Sequence, residues 1–351
     1  AEVDHFSEKE IVLEDMAPRI NKMANDMIAT SVKTLNDKGY CDNSNRSEKK
    51  LLDELAKYFH NHMSGELVIN MLKDDTLDLR RTLLKNSVYM HWSIFDGFLL
   101  GKKSAQFSPL AITPIIKIGT QEVGIDKFEH MFGMGRRYFD SYYMNNKSIK
   151  NILKIGITKL KHMFGMRKRY FDSYYLKNKT MKKTLKGGIL KEKTILGGNS
   201  LATGVFAYAE LAANFNGMRF WNHILQKRDD VLGKEYNIGP YVRCVDKKWE
   251  VVSNNSLDFT NYMDQSMDES INCSKFASAN GVEKFKQSLN RLSRQYQIQV
   301  SCPMSESALN EVFNKYDIHT KKKNGSLEKK SIAEWLINLK GTGEVSLFNE
   351  F

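Results

Sequence analysis

Apolar residues recur at helical spacing over most of this chain, and short polar or glycine-containing stretches separate the helical segments. In the first segment apolar residues such as Ile11, Met16 and Ile20 recur at helical spacing, and Pro18 is expected to break or kink the helix. The stretch Ser47-Glu-Lys-Lys predicts the start of a second helix. The ranges with a helical pattern are 8–36, 47–62, 67–100, 208–225, 261–271, 282–295 and 305–316.

Three shorter stretches have the alternation and turn residues of a β-hairpin. In 115–125, Ile-Ile-Lys-Ile and Glu-Val-Gly-Ile flank a Gly-Thr-Gln turn. The second stretch, 195–207, is rich in glycine, and the third, 241–252, has Val245-Asp-Lys-Lys at its turn. The sequence therefore predicts a mainly α fold with small β-hairpins.

A tandem duplication lies within this pattern, because residues 124–155 return as residues 156–187. From His130 onward only 2 of 14 positions differ between the copies, and one difference puts Arg167 where the first copy has Gly135. Solenoid families with this period have three or more divergent copies, so two nearly identical copies indicate a recent duplication inside one domain. The copies share an apolar helix face, which predicts packing against the core.

Composition and charge indicate a folded globule with anionic partners. The chain has 351 residues, 41% of them hydrophobic and 11% aromatic, and a net charge of 53 − 41 = +12. Residues 144–193 contain 15 Lys or Arg and two acids, which indicates either a solvated helix face or a docking surface for a polyanion. No nucleic-acid motif accompanies this run, so peptidoglycan or another anionic polymer is preferred to nucleic acid as the partner.

The first residue of the chain and the cysteines indicate the cellular compartment of the protein. No stretch reaches the about 18 to 20 apolar residues of a membrane span. The chain starts with Ala1, which fits a mature protein whose signal peptide has been removed, and we expect a secreted or periplasmic protein. Cys273 and Cys302 flank a helical segment and are the preferred disulfide pair, with free thiols as the alternative. No C-x-x-C pair is present, and neither a metal nor a cofactor is expected.

Two glutamates flank the glycine-rich stretch: Glu192 closes a predicted helix and Glu210 follows 18 positions later. Glycoside hydrolysis needs two carboxyl groups in unlike surroundings, one that protonates the leaving oxygen and one that is ionised at the oxocarbenium-like centre. The apolar pair Ile189-Leu190 precedes Glu192 and could desolvate it. In the alternative interpretation Glu192 is a solvated helix-end residue and Glu210 pairs with Arg219 or a lysine.

The order of these elements resembles the lysozyme superfamily of peptidoglycan hydrolases. It consists of a glutamate at a helix end, a hairpin with Thr203-Gly204, and then an alanine-rich helix. The segment Leu211-Ala-Ala-Asn-Phe-Asn-Gly217 is also similar to the Ala-Ala-Tyr-Asn-Ala-Gly segment of soluble lytic transglycosylases, and the resemblance covers about 30 of 351 residues. It implies that Glu192 is the acid and that Glu210 or Thr203 positions water. The residues expected to bind the glycan are Tyr208, Asn214, Asn216 and Trp221, and a core position is the alternative for Trp221.

A second candidate for chemistry is Asp126-Lys-Phe-Glu-His130 in the first copy. Asp126 and His130 are four positions apart on one helix face and could form an acid–base pair or half of a metal site. The second copy keeps His162 but has Thr158 in place of Asp126. A helix N-cap is the preferred role for Asp126.

We therefore expect a lysozyme-like α+β protein enlarged by an internal helical duplication. Residues 1–110 form a helical N-terminal part, and residues 111–351 form the lysozyme-like part with the repeat, unless the two are one continuous domain. The predicted function is hydrolysis of peptidoglycan glycan strands by a carboxylate acid/base mechanism, with lytic transglycosylation and an inactive homologue left open. The alternative is a non-catalytic basic helical scaffold that binds an anionic polymer.

Overall fold

The computed structural model describes residues 2–102, 111–144, 180–193, 203–322 and 324–345. Its helices are α1 (Ala17–Lys38), α2 (Asn45–Leu55), α3 (Glu66–Lys73), α4 (Ile125–Glu129), α5 (Gly135–Tyr142), α6 (Met181–Lys193), α7 (Tyr208–Leu225), α8 (Ala279–Tyr296), α9 (Glu306–Tyr316) and α10 (Ala333–Leu336). Its strands are β1 (Leu79–Arg80), β2 (Ile115–Ile118), β3 (Gln121–Gly124), β4 (Val205–Phe206), β5 (Val242–Val245), β6 (Lys248–Val251) and β7 (Lys275–Phe276). Within these ranges the predicted fold, mainly α with small antiparallel sheets, is confirmed.

Helix α7 lies in the middle of the core, and its predicted range is confirmed. Of its 18 residues, 16 are buried. A helix that is covered on every side is a core helix rather than an amphipathic surface helix. The main hydrophobic core contains side chains from both predicted parts, among them Ile28 and Leu52 from the first and Phe132 and Trp221 from the second.

Residues 125–142 of the first copy form one continuous helix, called here the first-copy helix, that crosses α7. It consists of α4, a π-helical turn over His130–Met134, and α5. At the crossing a Cβ on Gly135 would lie 2.5 Å from the Cα of Gly217, and a Cβ on Gly217 would lie 2.0 Å from the carbonyl oxygen of Met131. The two backbones therefore approach at a point where both helices have glycine.

Only the last residues of the second copy, 180–187, belong to the described part of the structure. Residues 145–179, which include most of that copy and most of the basic run, lie outside the described residues. Helix α6 follows and packs against α5, with Ser141 Oγ 3.2 Å from Thr184 Oγ1. Met181, Leu185 and Ile189 are buried in the core. Helix α5 of the first copy is thus partnered by a helix that begins in the second.

Two of the three predicted hairpins are confirmed. Strands β2 and β3 pair antiparallel, as do β5 and β6. At the β5–β6 turn Asp246 and Lys247 have φ of 47° and 65°, the left-handed conformation of a two-residue type I′ turn. The third prediction, 195–207, lies partly outside the described residues. Its described end, β4, pairs antiparallel with the distant strand β7 rather than with a neighbouring segment.

The N-terminal helices differ from their predicted ranges. Helix α1 begins at Ala17, so the prediction of helix from residue 8 is wrong. Pro18 stands in the first turn, where its missing N–H leaves no hydrogen bond unmade, so it starts the helix instead of kinking it. Helix α2 begins earlier than predicted because the side chain of Ser44, rather than Ser47, caps it, and it ends at Leu55.

The predicted helices 67–100 and 261–271 are largely wrong. In the first range only α3 is a regular α-helix, and turns follow from which Val88, Tyr89 and Trp92 enter the core separately. The second range begins at the end of one short 3₁₀ turn, Phe259–Asn261, and contains another, Gln265–Met267, and an aspartate side chain caps each of them. Apolar spacing alone does not distinguish a helix from irregular chain whose apolar residues are anchored one by one. The ranges of α8 and α9 agree with the prediction within a few residues.

The cysteines form two disulfide bonds, Cys273–Cys302 and Cys41–Cys244. The preferred pair is thereby confirmed, and the alternative of free thiols is wrong. None of the helices in the described ranges combines the length and the hydropathy that a membrane-spanning helix needs.

Candidate functional site

His130 connects the two glutamates that the sequence singles out. Its Nε2 lies 3.3 Å from Oε1 of Glu210, and its Nδ1 lies 3.9 Å from Oε1 of Glu192. The same Nδ1 is 3.0 Å from Oδ1 of Asn214. Two candidate sites that are separate in the sequence, Glu192 with Glu210 and Asp126 with His130, therefore belong to one buried polar cluster. We use that name for Glu2, Asp126, Lys127, His130, Glu192, Glu210, Asn214 and Glu269.

Helix periodicity explains how these side chains meet. Asp126 and His130 are four residues apart on the first-copy helix, and Glu210 and Asn214 are four residues apart on α7. Residues at this spacing lie one turn apart on the same face. The glycine crossing brings the two faces close together, and Glu192 is added from the end of α6.

Lys127 is completely buried on the other side of Asp126. Its Nζ donates to Oδ2 of Asp126 at 2.9 Å and to Oε1 of Glu269 at 2.7 Å. A buried ammonium is tolerated only when carboxylates and hydrogen bonds replace its water, which both partners do here. Lys127 thus holds the carboxylate of Asp126 by its Oδ2 atom.

The pKa values of His130 and Glu210 move apart. Burial alone lowers the pKa of His130, but the charge of Glu210 and its hydrogen bond outweigh burial and raise the pKa to about 9. Burial alone raises the pKa of Glu210, but His130 and then Lys127 outweigh it and lower the pKa to about 2. At neutral pH the pair is therefore an imidazolium and a carboxylate.

Burial raises the pKa of two other acids of the cluster, Glu269 and Glu2. Burial, opposed by Lys127 and assisted by Asp126, raises the pKa of Glu269 to about 7. Burial and then the charge of Glu210 raise the pKa of Glu2 well above its usual range. For Lys127 the charges of Asp126 and Glu269 outweigh burial and raise the pKa. Acids that are crowded together without enough positive charge retain protons in this way.

Three residues of the cluster have a geometry that could hold a metal ion, although the sequence analysis expects none. One ligand atom each from Asp126, His130 and Glu210 lies within 4.8 Å of the other two. The sequence analysis gives Asp126 and His130 as half of a metal site, and α7 brings the carboxylate of Glu210 to the same place.

The other predicted site residues lie around the cluster or in the core. Thr203 is buried next to it, hydrogen-bonds with Glu2, and accepts a hydrogen bond from the indole of Trp92 at its carbonyl. Tyr208 is partly buried, with its ring against Phe206.

The side chains of Asn216 and Trp221 are buried in the protein interior. Asn216 donates to the hydroxyl of Tyr316 at 2.8 Å and accepts from the guanidinium of Arg219. Trp221 is 1% exposed and donates to the carbonyl of Phe132, so its ring lines no surface groove, in agreement with the core alternative.

Three other expectations are corrected by the local geometry. Arg219 pairs with Asp230 at 2.9 Å, and the described ion-pair partner of Glu210 is His130 instead. Asp126 is not the helix N-cap, because Gly124 occupies that position and Asp126 lies inside the first turn. Glu192 is 2% exposed, so it is not a solvated helix-end residue.

Among His130, Glu192 and Glu210, the side chain of His130 is the most exposed to solvent. Its side chain is 16% exposed, against 3% for Glu192 and 1% for Glu210. A cavity of about 590 Å³ elsewhere on the surface is lined by Leu84, Trp92 and Lys102 among others, and none of the cluster residues lines it.

Comparisons with protein-family models, curated proteins and solved structures found no match for this chain. The site is therefore defined by its own geometry.

Sequence reasoning missed three members of the cluster. Lys127 directly follows Asp126, and a lysine between Asp126 and Phe128 on a buried stripe is the signal that could have identified it. Glu2 and Glu269 are 269 − 2 = 267 positions apart, and nothing in their neighbouring residues distinguishes them from surface glutamates.

Proposed function

We propose that this chain is a glycoside hydrolase that cleaves the glycan strands of peptidoglycan, with Glu192 and Glu210 as its carboxyl pair and His130 between them. The observation that carries the proposal is the contact of both carboxyl groups with one imidazole. Since only one ring separates them, they lie within the about 10 Å that separates the two carboxyl groups of glycosidases.

The two carboxyl groups have unlike surroundings, as this chemistry requires. Glu210 forms the closer ion pair with His130, at 3.3 Å, and is the ionised member that supports positive charge at the anomeric carbon or activates water. Glu192 lies farther from the imidazole, at 3.9 Å, and is the proton donor to the leaving oxygen. The same assignment of Glu192 is what the resemblance to the lysozyme superfamily implies.

The substrate class is supported by charge and compartment. A net charge of +12 favours an anionic polymer, and peptidoglycan is one. Two disulfide bonds fit a secreted or periplasmic protein, because such bonds persist in oxidising compartments.

The test is the clearing of purified sacculi, followed by turbidity and by the release of reducing ends. The wild-type chain is expected to clear them, and Glu192→Gln, which keeps size and hydrogen bonding, is expected to lower the rate by at least ~100-fold. Glu129→Gln is the control, because Glu129 contacts the exposed His62 on the outer side of the same helix. Unchanged activity of Glu192→Gln contradicts the proposal.

One observation favours the second candidate, a non-catalytic binding protein for an anionic polymer. The carboxyl groups of Glu192 and Glu210 are almost completely buried, whereas a glycan strand must reach both of them. In that case the chain binds sacculi with an affinity that falls steeply with salt and releases no reducing ends. Sedimentation with sacculi at increasing salt, run beside the clearing assay, separates the two functions.

A further inference from the structure

Two helices face each other with a pair of potential metal ligands on each. Asp126 and His130 are one turn apart on the first-copy helix, and Glu210 and Asn214 are one turn apart on α7. Ligand atoms of Asp126, His130 and Glu210 lie within 4.8 Å of one another, and Oδ1 of Asn214 is 3.0 Å from the imidazole. Pairs of side chains on facing helices are how metal sites inside helical proteins are built.

Two polar atoms of this set point to a ligand. Asp126 and Asn214 are 2% and 0% exposed, and within the described residues neither Oδ1 of Asp126 nor Nδ2 of Asn214 has a hydrogen-bond partner. Buried polar atoms are nearly always paired, so two such atoms in one place require an explanation. The amide oxygen of Asn214 faces Nδ1 of His130, which orients the ring as the outer-shell partner of a metal-bound histidine does.

The surroundings would favour added positive charge. The buried polar cluster brings five carboxyl groups together with Lys127 and His130. Carboxylates removed from water repel one another unless cations are among them, and a divalent ion is the largest charge that one site can supply. Lys127 already binds Oδ2 of Asp126 and thereby orients this carboxylate, as outer-shell partners of metal ligands do.

The helix is also irregular at His130. The turn His130–Met134 is π-helical, although the helix is regular on both sides. Such turns occur often at functional sites, because they change the direction in which a side chain leaves the helix. The irregularity begins at the residue that contacts Glu192, Glu210 and Asn214.

We propose that Asp126, His130 and Glu210 bind one divalent transition-metal ion, and that the imidazole of His130 releases a proton when the ion binds. Two carboxylates and one imidazole suit Mn²⁺ or Zn²⁺ better than a thiolate-seeking ion. The inference goes beyond the proposed hydrolase and does not depend on it. If both hold, Glu210 would hold the ion, which would supply Lewis-acid activation of water, and Glu192 remains the acid.

The duplication supplies a matched control. His162 of the second copy follows the same Lys-x-x order and precedes the same Met-Phe-Gly-Met sequence, but Thr158 stands where the first copy has Asp126. His130→Gln and His162→Gln therefore make the same change in nearly the same local sequence, and only the first removes a proposed ligand.

The experiment is calorimetric titration of the full chain, stripped of metal by a chelator, with MnCl₂ and with ZnCl₂. We expect one ion per chain, an affinity at least ~10-fold weaker in His130→Gln, and an unchanged affinity in His162→Gln. Asp126→Asn, which keeps the shape of the side chain, is the second variant should His130→Gln fail to fold, and it should weaken binding to a similar degree. Absence of binding in the wild type, or equal loss in both histidine variants, overturns the inference.

The same protein separates this inference from the proposed function. A chain that binds the ion but releases no reducing ends from sacculi retains the metal site and contradicts the hydrolase. A chain that still clears sacculi after complete chelation, and takes up no Mn²⁺ or Zn²⁺, retains the hydrolase and contradicts the metal site.

Discussion

Gly135 meets Gly217 where the first-copy helix crosses α7, and neither position has room for a side chain. A Cβ on Gly135 would lie 2.5 Å from the Cα of Gly217. This contact keeps the face of Asp126 and His130 close to the face of Glu210 and Asn214. The second copy has Arg167 in place of Gly135, and an arginine side chain would not fit at this crossing.

Gly135→Ala should destabilise the chain. The added methyl group must push the two helix backbones apart, and forced overpacking of this kind costs about 1–3 kcal/mol. Gly133→Ala is the control, because nothing lies within 4 Å of the Cβ that it adds. It should leave the free energy of unfolding unchanged or raise it by up to about 1 kcal/mol through helix propensity. Urea titration followed by circular dichroism measures both, and equal effects would contradict the close crossing.

Removal of one repeat unit should distinguish the two copies. Deletion of residues 147–178 joins Asn146 to Lys179, restores the Asn-Lys pair of the junction, and keeps Asp126 and Gly135. We expect the product to fold cooperatively, since helix α6 still follows α5. Thermal unfolding and the one-dimensional proton spectrum measure this.

The control deletion has the same length and removes residues 126–157. It leaves the second-copy sequence in the first-copy position, with Thr158 and Arg167 where Asp126 and Gly135 belong. An arginine cannot enter the glycine crossing, so this product should not fold cooperatively. Similar stability of the two deletions would show that the copies are interchangeable, against this account.

Asp230 forms a second buried charge network with two residues of α7, Arg219 and His223. Its carboxylate lies 2.9 Å from Arg219 Nε and 2.8 Å from His223 Nε2, with all three side chains at most 2% exposed. Asp230→Asn leaves the guanidinium without its counter-charge and should cost about 3–5 kcal/mol of unfolding free energy. Asp229→Asn next to it, where the side chain is 58% exposed, should change the free energy by less than about 0.5 kcal/mol.

The same network predicts how stability depends on pH. Burial lowers the pKa of His223 below its ordinary 6.5, so the unfolded chain takes up a proton first and stability falls as the pH drops through about 6.5. For Asp230 the hydrogen bond from His223 and the charge of Arg219 outweigh burial and lower the pKa below its ordinary 3.8. Its contribution is therefore complete above that value and is lost as the pH falls further. Because the raised pKa values of His130 and Glu269 act in the opposite direction, the effect of His223 is measured as the difference in urea midpoint between the wild type and His223→Gln from pH 8 to pH 4. We expect this difference to shift against the wild type below about pH 6.5, and a shift in its favour would contradict the prediction.

The sequence predicts the parts of the fold that local chemistry controls. The hairpin around Asp246 and Lys247, the helix from Tyr208 and the Cys273–Cys302 bond follow from turn residues, periodicity and spacing. The stretch 67–100 does not follow, because its apolar residues are anchored by distant partners. The indole of Trp92, for instance, donates to the carbonyl of Thr203.

The site is predictable in its residues but not in its assembly. The sequence identifies Glu192 and Glu210 as one candidate and Asp126 and His130 as another, because each has a local pattern. These two candidate pairs come together only because two helices cross at Gly135 and Gly217, which are 82 positions apart in the chain. A single sequence contains no distance across such a crossing, so Glu269 and its bond to Lys127 are visible only in the fold.

The central claim is that one site exists, built around His130 of the first copy. The most direct measurement is the rate of reducing-end release from sacculi by the wild type, His130→Gln and His162→Gln under identical conditions. The account predicts a loss of at least ~100-fold for His130→Gln and wild-type activity for His162→Gln. Wild-type activity in His130→Gln, or an equal loss in His162→Gln, would contradict it.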